Sequence, residues 1–173
     1  MNNEPVSVVF TASKSWFSKA IRWFTKSRVS HVFIEFPVWG QDCAVEATVG
    51  GTRLVLASKA RHDVVKEYRF KDGVEKRTLI HMMQHLGTPY DYTGVLFIAW
   101  MKIAWSWLKM KARAASWSSK ALKCSELVFM FLYEAGVHVQ SEKELVSPED
   151  ILKTCESRTD TFCAVDGSGT EIS

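Results

Sequence analysis

Cys124, His31 and Glu46 are three residues whose types and settings suit one chemistry, nucleophilic attack by a thiol. Cys124 stands where the basic, polar stretch Ser118-Ser119-Lys120-Ala121-Leu122-Lys123 meets an apolar segment of helical character. A thiol at a helix start feels the positive end of the helix dipole, and Lys123 adds positive charge. Both favour the thiolate, the reactive form. The competing reading, a small buried hydrophobe, is the usual fate of a free cysteine. It is kept for Cys43, Cys155 and Cys163, which lack that setting.

His31 and Glu46 lie on two adjacent predicted strands. Side chains alternate faces along a strand, so His31, Phe33 and Glu35 share one face, and Ala44 and Glu46 share a face on the next strand. A hairpin turning at Pro37–Gly40 and pairing Phe36 with Gln41 sets His31 opposite Glu46, with Cα atoms about 4.5–5.5 Å apart. A carboxylate there accepts from one imidazole nitrogen and leaves the other for a thiol, the base-plus-orienter logic of a catalytic triad. Without the cysteine, the simpler reading is a histidine packed at a sheet rim and a solvated glutamate.

These residues require a sheet and a buried helix to hold them. Val6–Phe10 reads as a short buried strand, and Ser15–Lys26 as a helix with Trp16, Ala20, Trp23 and Phe24 at helical spacing. Strands follow at Val29–Phe36, Cys43–Thr48, Thr52–Leu56 and Val64–Phe70, with a second turn at Gly50-Gly51. Asp72 as N-cap and Glu75 as its capping-box partner predict a helix that Gly87 ends. Val95–Leu108 is apolar but interrupted by Lys102, and too short for a comfortable span of about 20 residues. Cys124–Ala135 is apolar nearly all round and reads as a central buried helix. Ser147-Pro148-Glu149-Asp150 marks a further helix start, with Ser147 as N-cap and Pro148 at the first helical position. Helix, strand meander, then helices predict an α+β fold, an antiparallel sheet packed against helices. One domain over residues 1–166 with a flexible tail over 167–173 is expected.

At 173 residues and 47% hydrophobic content the chain can bury a core of its own. The opening residues lack a basic start, and the apolar run after them is too short for a signal peptide. Cytoplasmic synthesis and reduced cysteines are therefore expected, with membrane association or release with a phage as later routes. The net charge of +3 is uneven, since residues 137–173 hold eight acids against three bases. Lys14–Arg28 and Tyr92–Lys123 contain bases, tryptophans and no acids. Such faces suit an anionic membrane or cell-wall surface, although two solvated helix faces read as well. No specific nucleic-acid partner is expected. His81 and His85 have the spacing of a metal pair, but Gln84 replaces the glutamate of H-E-x-x-H and no third ligand is evident in the sequence. No metal or cofactor is expected.

Several short motifs strengthen the thiol reading by resemblance. Ser30-His31-Val32, Val45-Glu46-Ala47, Gly87-Thr88-Pro89-Tyr90-Asp91, Lys123-Cys124-Ser125-Glu126-Leu127-Val128 and Ser147-Pro148-Glu149-Asp150 follow one another over about 120 residues. In type and order they resemble the circularly permuted NlpC-type papain-like cysteine peptidases and amidases. The resemblance implies a papain-like fold and a Cys-His-Glu triad, with Tyr90 beside the nucleophile as a possible oxyanion donor together with the Cys124 backbone N–H. It also implies cleavage of cell-wall peptides or γ-glutamyl-type amides, an activity that suits a phage enzyme. A membrane-docking acyltransferase or thioesterase is the alternative, and a non-catalytic module of a larger assembly is the third reading.

Overall fold

The computed structural model describes residues 3–14, 18–19, 22, 27–48, 50–89, 124–139, 146–166 and 170–172. Among them the elements run β1 (Asn3–Glu4), β2 (Ser7–Thr11), β3 (His31–Val38), β4 (Gln41–Thr48), β5 (Gly51–Leu56), α1 (Ala57–Ala60), β6 (Val64–Phe70), β7 (Val74–Glu75), α2 (Lys76–Met83), α3 (Cys124–Glu134), α4 (Pro148–Ser157), β8 (Phe162–Val165) and β9 (Glu171–Ile172). The fold is α+β. A seven-stranded sheet in the order β5-β4-β3-β2-β6-β8-β9 is antiparallel at every pairing and packs against a few helices.

The central strand β2 is buried along its whole length, because both its faces are covered. Val8 and Phe10 lie with Val32, Ile34, Phe36 and Val45 in the main core, which Leu127, Val128, Phe131 and Leu132 of α3 share. Val9, Phe33 and Ala44 form a smaller cluster with Ala60 of α1. Cover on two sides explains why the central strands read as nearly continuous apolar runs rather than alternating ones.

The β3–β4 hairpin is tighter than the sequence predicts. Val38 pairs with Gln41, leaving only Trp39 and Gly40 in the turn, both at positive φ (49° and 78°). That is the requirement of a type I′ turn. A bulky residue rarely adopts positive φ, so Trp39 gives no turn signal, whereas Pro37 gives a misleading one. Phe36 therefore pairs with Cys43 and not with Gln41. A slip of two residues leaves every side chain on its expected face.

A further expectation is corrected. The helix predicted from Asp72 begins at Lys76, with Glu75 at its N-cap and no side chain capping it. Val74 and Glu75 pair with β1, and the Asp72 carbonyl accepts from Asn3 Nδ2 at 2.8 Å. Pairing with the N-terminal strand thus takes the residues a capping box would use. At the C-terminal end, Glu171 and Ile172 pair with Val165 and Ala164 and add a strand to the sheet. By contrast, α4 starts as its sequence predicts. The Asp150 N–H donates to Ser147 Oγ, the Ser147 N–H donates to the Asp150 carboxylate, and Pro148 follows the cap.

Ser18, Lys19 and Arg22 are helical, and the rest of the predicted helix around them lies outside the described residues. So do Tyr90 and the Trp- and Lys-rich stretch 92–123. Among the described residues, no helix is long and apolar enough to cross a membrane.

Candidate active site

Cys124 is the first described residue of α3 and is buried. The apolar stripe Leu127, Val128, Phe131 and Leu132 seats this helix on the sheet and so fixes where its N-terminus ends. His31 is the first residue of β3, paired with Thr11 of β2.

The approach to His31 is pinned from two sides. The Ser30 N–H donates to the Thr11 carbonyl at 2.9 Å, and Ser18 Oγ donates to Ser30 Oγ at 2.6 Å. One turn of chain earlier, the buried Glu149 of α4 accepts from the Arg28 backbone N–H at 2.8 Å, from Arg28 Nε at 2.9 Å and from Ser27 Oγ at 3.2 Å. These bonds hold the Glu149 carboxyl below its ordinary range, although burial opposes the charge. The well-capped start of α4 is thereby tied to the segment that delivers the histidine.

His31 Nε2 lies 3.1 Å from Glu46 Oε2. The sequence brings these two residues together on one face, as expected, but by a diagonal contact. The ladder between β3 and β4 runs from Val38↔Gln41 to Ile34↔Val45. His31 and Glu46 both lie beyond its last rung. The second carboxylate oxygen, Oε1, accepts from Arg53 Nε at 3.0 Å and from Arg53 Nη2 at 2.8 Å. Arg53 is the partner of Glu46 in the β4–β5 ladder. It was not singled out in the sequence, yet the signal was present. A tight turn at Gly50 pairs Thr48 with Gly51 and so sets Arg53 across from Glu46.

Glu35, on the same strand face as His31, is engaged elsewhere. It accepts from Arg61 Nη1 at 2.8 Å, while Arg61 Nη2 donates to the buried Glu67.

The electrostatics follow from this geometry. With Nε2 turned to Glu46, Nδ1 of His31 is the nitrogen left for the Cys124 sulfur, and the two groups lie close enough for each to shift the other's ionisation. Burial disfavours the charged ring, but the bonds to Cys124 and Glu46 outweigh it and raise His31 from 6.5 to about 9. Burial likewise disfavours the Cys124 thiolate. The His31 ring and the backbone N–H groups of Val32 and Ser125 outweigh it and lower the thiol from its ordinary value. The arrangement therefore shifts the pair toward a thiolate beside an imidazolium. Glu46, desolvated but held by His31 and Arg53, is lowered and stays charged. Cys155 shows the opposite case, since burial without such partners pushes its thiol up.

The loop that leads toward Tyr90 docks beside this site. The Thr52 N–H donates to the Thr88 carbonyl at 2.8 Å, and the Gly87 N–H donates to the Thr52 carbonyl at 2.8 Å. A Cβ at Gly51 would lie 2.9 Å from the Thr88 oxygen, and its φ of 101° suits glycine alone, so only glycine allows this close approach. Elsewhere, His81 Nδ1 pairs with Glu134 and its ring meets His85 edge-on. Among the described residues, no group of three His, Cys, Asp or Glu side chains is placed to hold a metal ion.

No family model matches the chain, and no curated protein matches it. Among solved structures, it is similar to the metalloprotein yiiX from Escherichia coli O157:H7, described as DUF1105. The TM-score is 0.56 at 19% identity, covering 100% of this chain and 98% of the other. Identity that low speaks for a shared fold alone. The comparison also corrects the resemblance drawn from short motifs. The similar structure carries a different family description from the circularly permuted NlpC-type enzymes, and the role of Tyr90, which rested on that resemblance, loses its support.

Proposed function

We propose that the chain is a thiol hydrolase that cleaves amide or related acyl bonds through an acyl-thioenzyme. The observation that carries this reading is the set Cys124–His31–Glu46, in which the mutual interactions outweigh the cost of burial and favour thiolate and imidazolium together. The Cys124 thiolate attacks the substrate carbonyl and forms a C–S bond. His31 gives its proton to the departing amine or alcohol. The neutral ring then takes a proton from water, which attacks the thioester, releases the acid and frees the thiolate, while the proton stays on His31. Glu46 holds the ring orientation and stabilises its charged form. The finer fold reading belongs to the same proposal: a helix-borne thiol facing a sheet-borne imidazole is a papain-like arrangement, reached here on geometry and not on kinship.

The substrate class follows only from the chemistry, an amide or an activated acyl group. Contact with an anionic membrane or cell-wall surface is the proposed partner reading. It rests on the basic, Trp-rich stretches, most of which lie outside the described residues. Trp39, fully exposed at the β3–β4 tip, is a described aromatic that suits such a contact.

The test is a panel of electrophilic amide and acyl probes, together with cell-wall peptides, γ-glutamyl amides and thioesters. Intact-mass detection of an acyl adduct on Cys124, absent in Cys124→Ser, supports the reading. A wild-type protein in which no probe modifies Cys124 and no substrate turns over would overturn it.

A further inference from the structure

We propose that Arg53 is a positioning residue of this site: it fixes which oxygen of Glu46 meets His31 and keeps that carboxylate charged. The inference rests on the triad reading above and deepens it. Glu46 is buried and offers two oxygens, and the structure divides them. Oε1 accepts twice from Arg53, through Nε and Nη2, and Oε2 is left to His31 Nε2. A guanidinium donating through two of its nitrogens restrains the carboxylate plane in a way a single point charge does not. The restraint matters because His31 and Glu46 lie past the last rung between their strands. Backbone pairing of β3 with β4 does not set their separation, whereas pairing of β4 with β5 does set Arg53 against Glu46. The orienter of the histidine is therefore itself oriented from the strand on its other side.

Charge points the same way. Glu46 pays for burial with two partners, and one of them, His31, loses its charge in each proposed catalytic cycle. Arg53 keeps its charge throughout. It supplies the constant counter-charge, so Glu46 need not take up a proton when the ring is neutral. The Arg53 side chain is 55% exposed and that of Glu46 6% exposed, so the arginine reaches the carboxylate from the solvent side.

The experiment compares wild type, Arg53→Met and Arg53→Lys by two readouts that need no substrate. Carbon-detected NMR of labelled glutamate follows the Glu46 carboxyl titration, and iodoacetamide kinetics follow Cys124. In Arg53→Met the Glu46 midpoint should move to higher pH. Cys124 alkylation at pH 7 should slow by about threefold, the scale of a half-exposed ion pair. Arg53→Lys should restore the midpoint more fully than the alkylation rate, because it returns charge without the fork. A Glu46 midpoint and a Cys124 rate both unchanged in Arg53→Met would overturn the inference. A wild-type Cys124 that reacts no faster than an ordinary thiol would instead overturn the hydrolase reading, and the Glu46 titration would still report on Arg53.

Discussion

Glu46 reaches His31 diagonally across two strands. Ile34 faces Val45, and continuing that register sets Phe33, not His31, opposite Glu46. Diagonal neighbours lie about 7–8 Å apart, within reach of a long side chain only. The 3.1 Å bond therefore depends on the full length of a glutamate.

Length and charge at position 46 can be separated. Glu46→Gln keeps the length and removes the charge, and Glu46→Asp keeps the charge and loses a methylene. Both should lower turnover on the order of 100-fold, the lower end of what general acid–base help supplies. Folding, checked by thermal melting, should persist in both. Glu35→Gln should leave turnover nearly unchanged, since Glu35 is bound to Arg61. Full activity in Glu46→Gln with loss in Glu35→Gln would reverse the assignment of the orienter.

The four cysteines should separate by reactivity. Cys124 is buried, yet His31 and two backbone N–H groups favour its thiolate. Cys155 is buried with its thiol pushed up, and should be the slowest. Limited iodoacetamide treatment at pH 7 followed by peptide mass mapping should find Cys124 labelled first, ahead of the more accessible Cys163. Labelling that merely follows exposure would show that the thiolate is not favoured in solution.

How much of this was legible in the sequence depends on the range of the interaction. Local signals held where one segment decides the outcome. Ser147 and Pro148 start α4 as predicted, and the apolar run after Cys124 forms the buried helix. Alternation along β3 and β4 put His31 and Glu46 on one face even though the turn was misplaced, because a two-residue slip conserves faces. The capping box at Asp72 failed because β1, some 70 residues earlier in the chain, pairs with Val74 and Glu75. Glu149 carried a clear local signal as part of a helix start. Its bonds to Ser27 and Arg28, which cross about 120 residues of chain, carried none.

The pH profile of turnover should be a bell whose limbs have different causes. His31 is raised from 6.5 to about 9, and Cys124 is lowered. Attack needs the thiolate and release of the leaving group needs the imidazolium, so turnover should be level through the neutral range. It should fall above about pH 9 as His31 loses its proton, and on the acid side as the thiolate gains one. Alkylation needs the thiolate alone and should keep its rate above pH 9. If alkylation and turnover fell together on the alkaline side, the deprotonating group would not be the histidine acting as acid.

Glu149 links stability to the site without touching the thiol. It is buried and accepts from Ser27 Oγ, the Arg28 backbone N–H and Arg28 Nε. Glu149→Ala leaves those donors without their acceptor and should cost about 1–3 kcal/mol in chemical denaturation. The lower part of that range is expected, because Arg28 is 53% exposed and keeps its bonds to Glu156. The pH dependence has a definite sign. The folded carboxyl is held below its ordinary value of 4.5, so its contribution is complete above that value and is lost as pH falls through the lowered one. The stability gap between wild type and Glu149→Gln should thus be widest at neutral pH and close on acidification. The segment released by Glu149→Ala leads directly into His31, so Cys124 alkylation should slow in the same variant under conditions where it stays folded. A variant that loses stability yet keeps the wild-type alkylation rate would mean that Ser30, through its bond to Thr11, suffices to place the histidine.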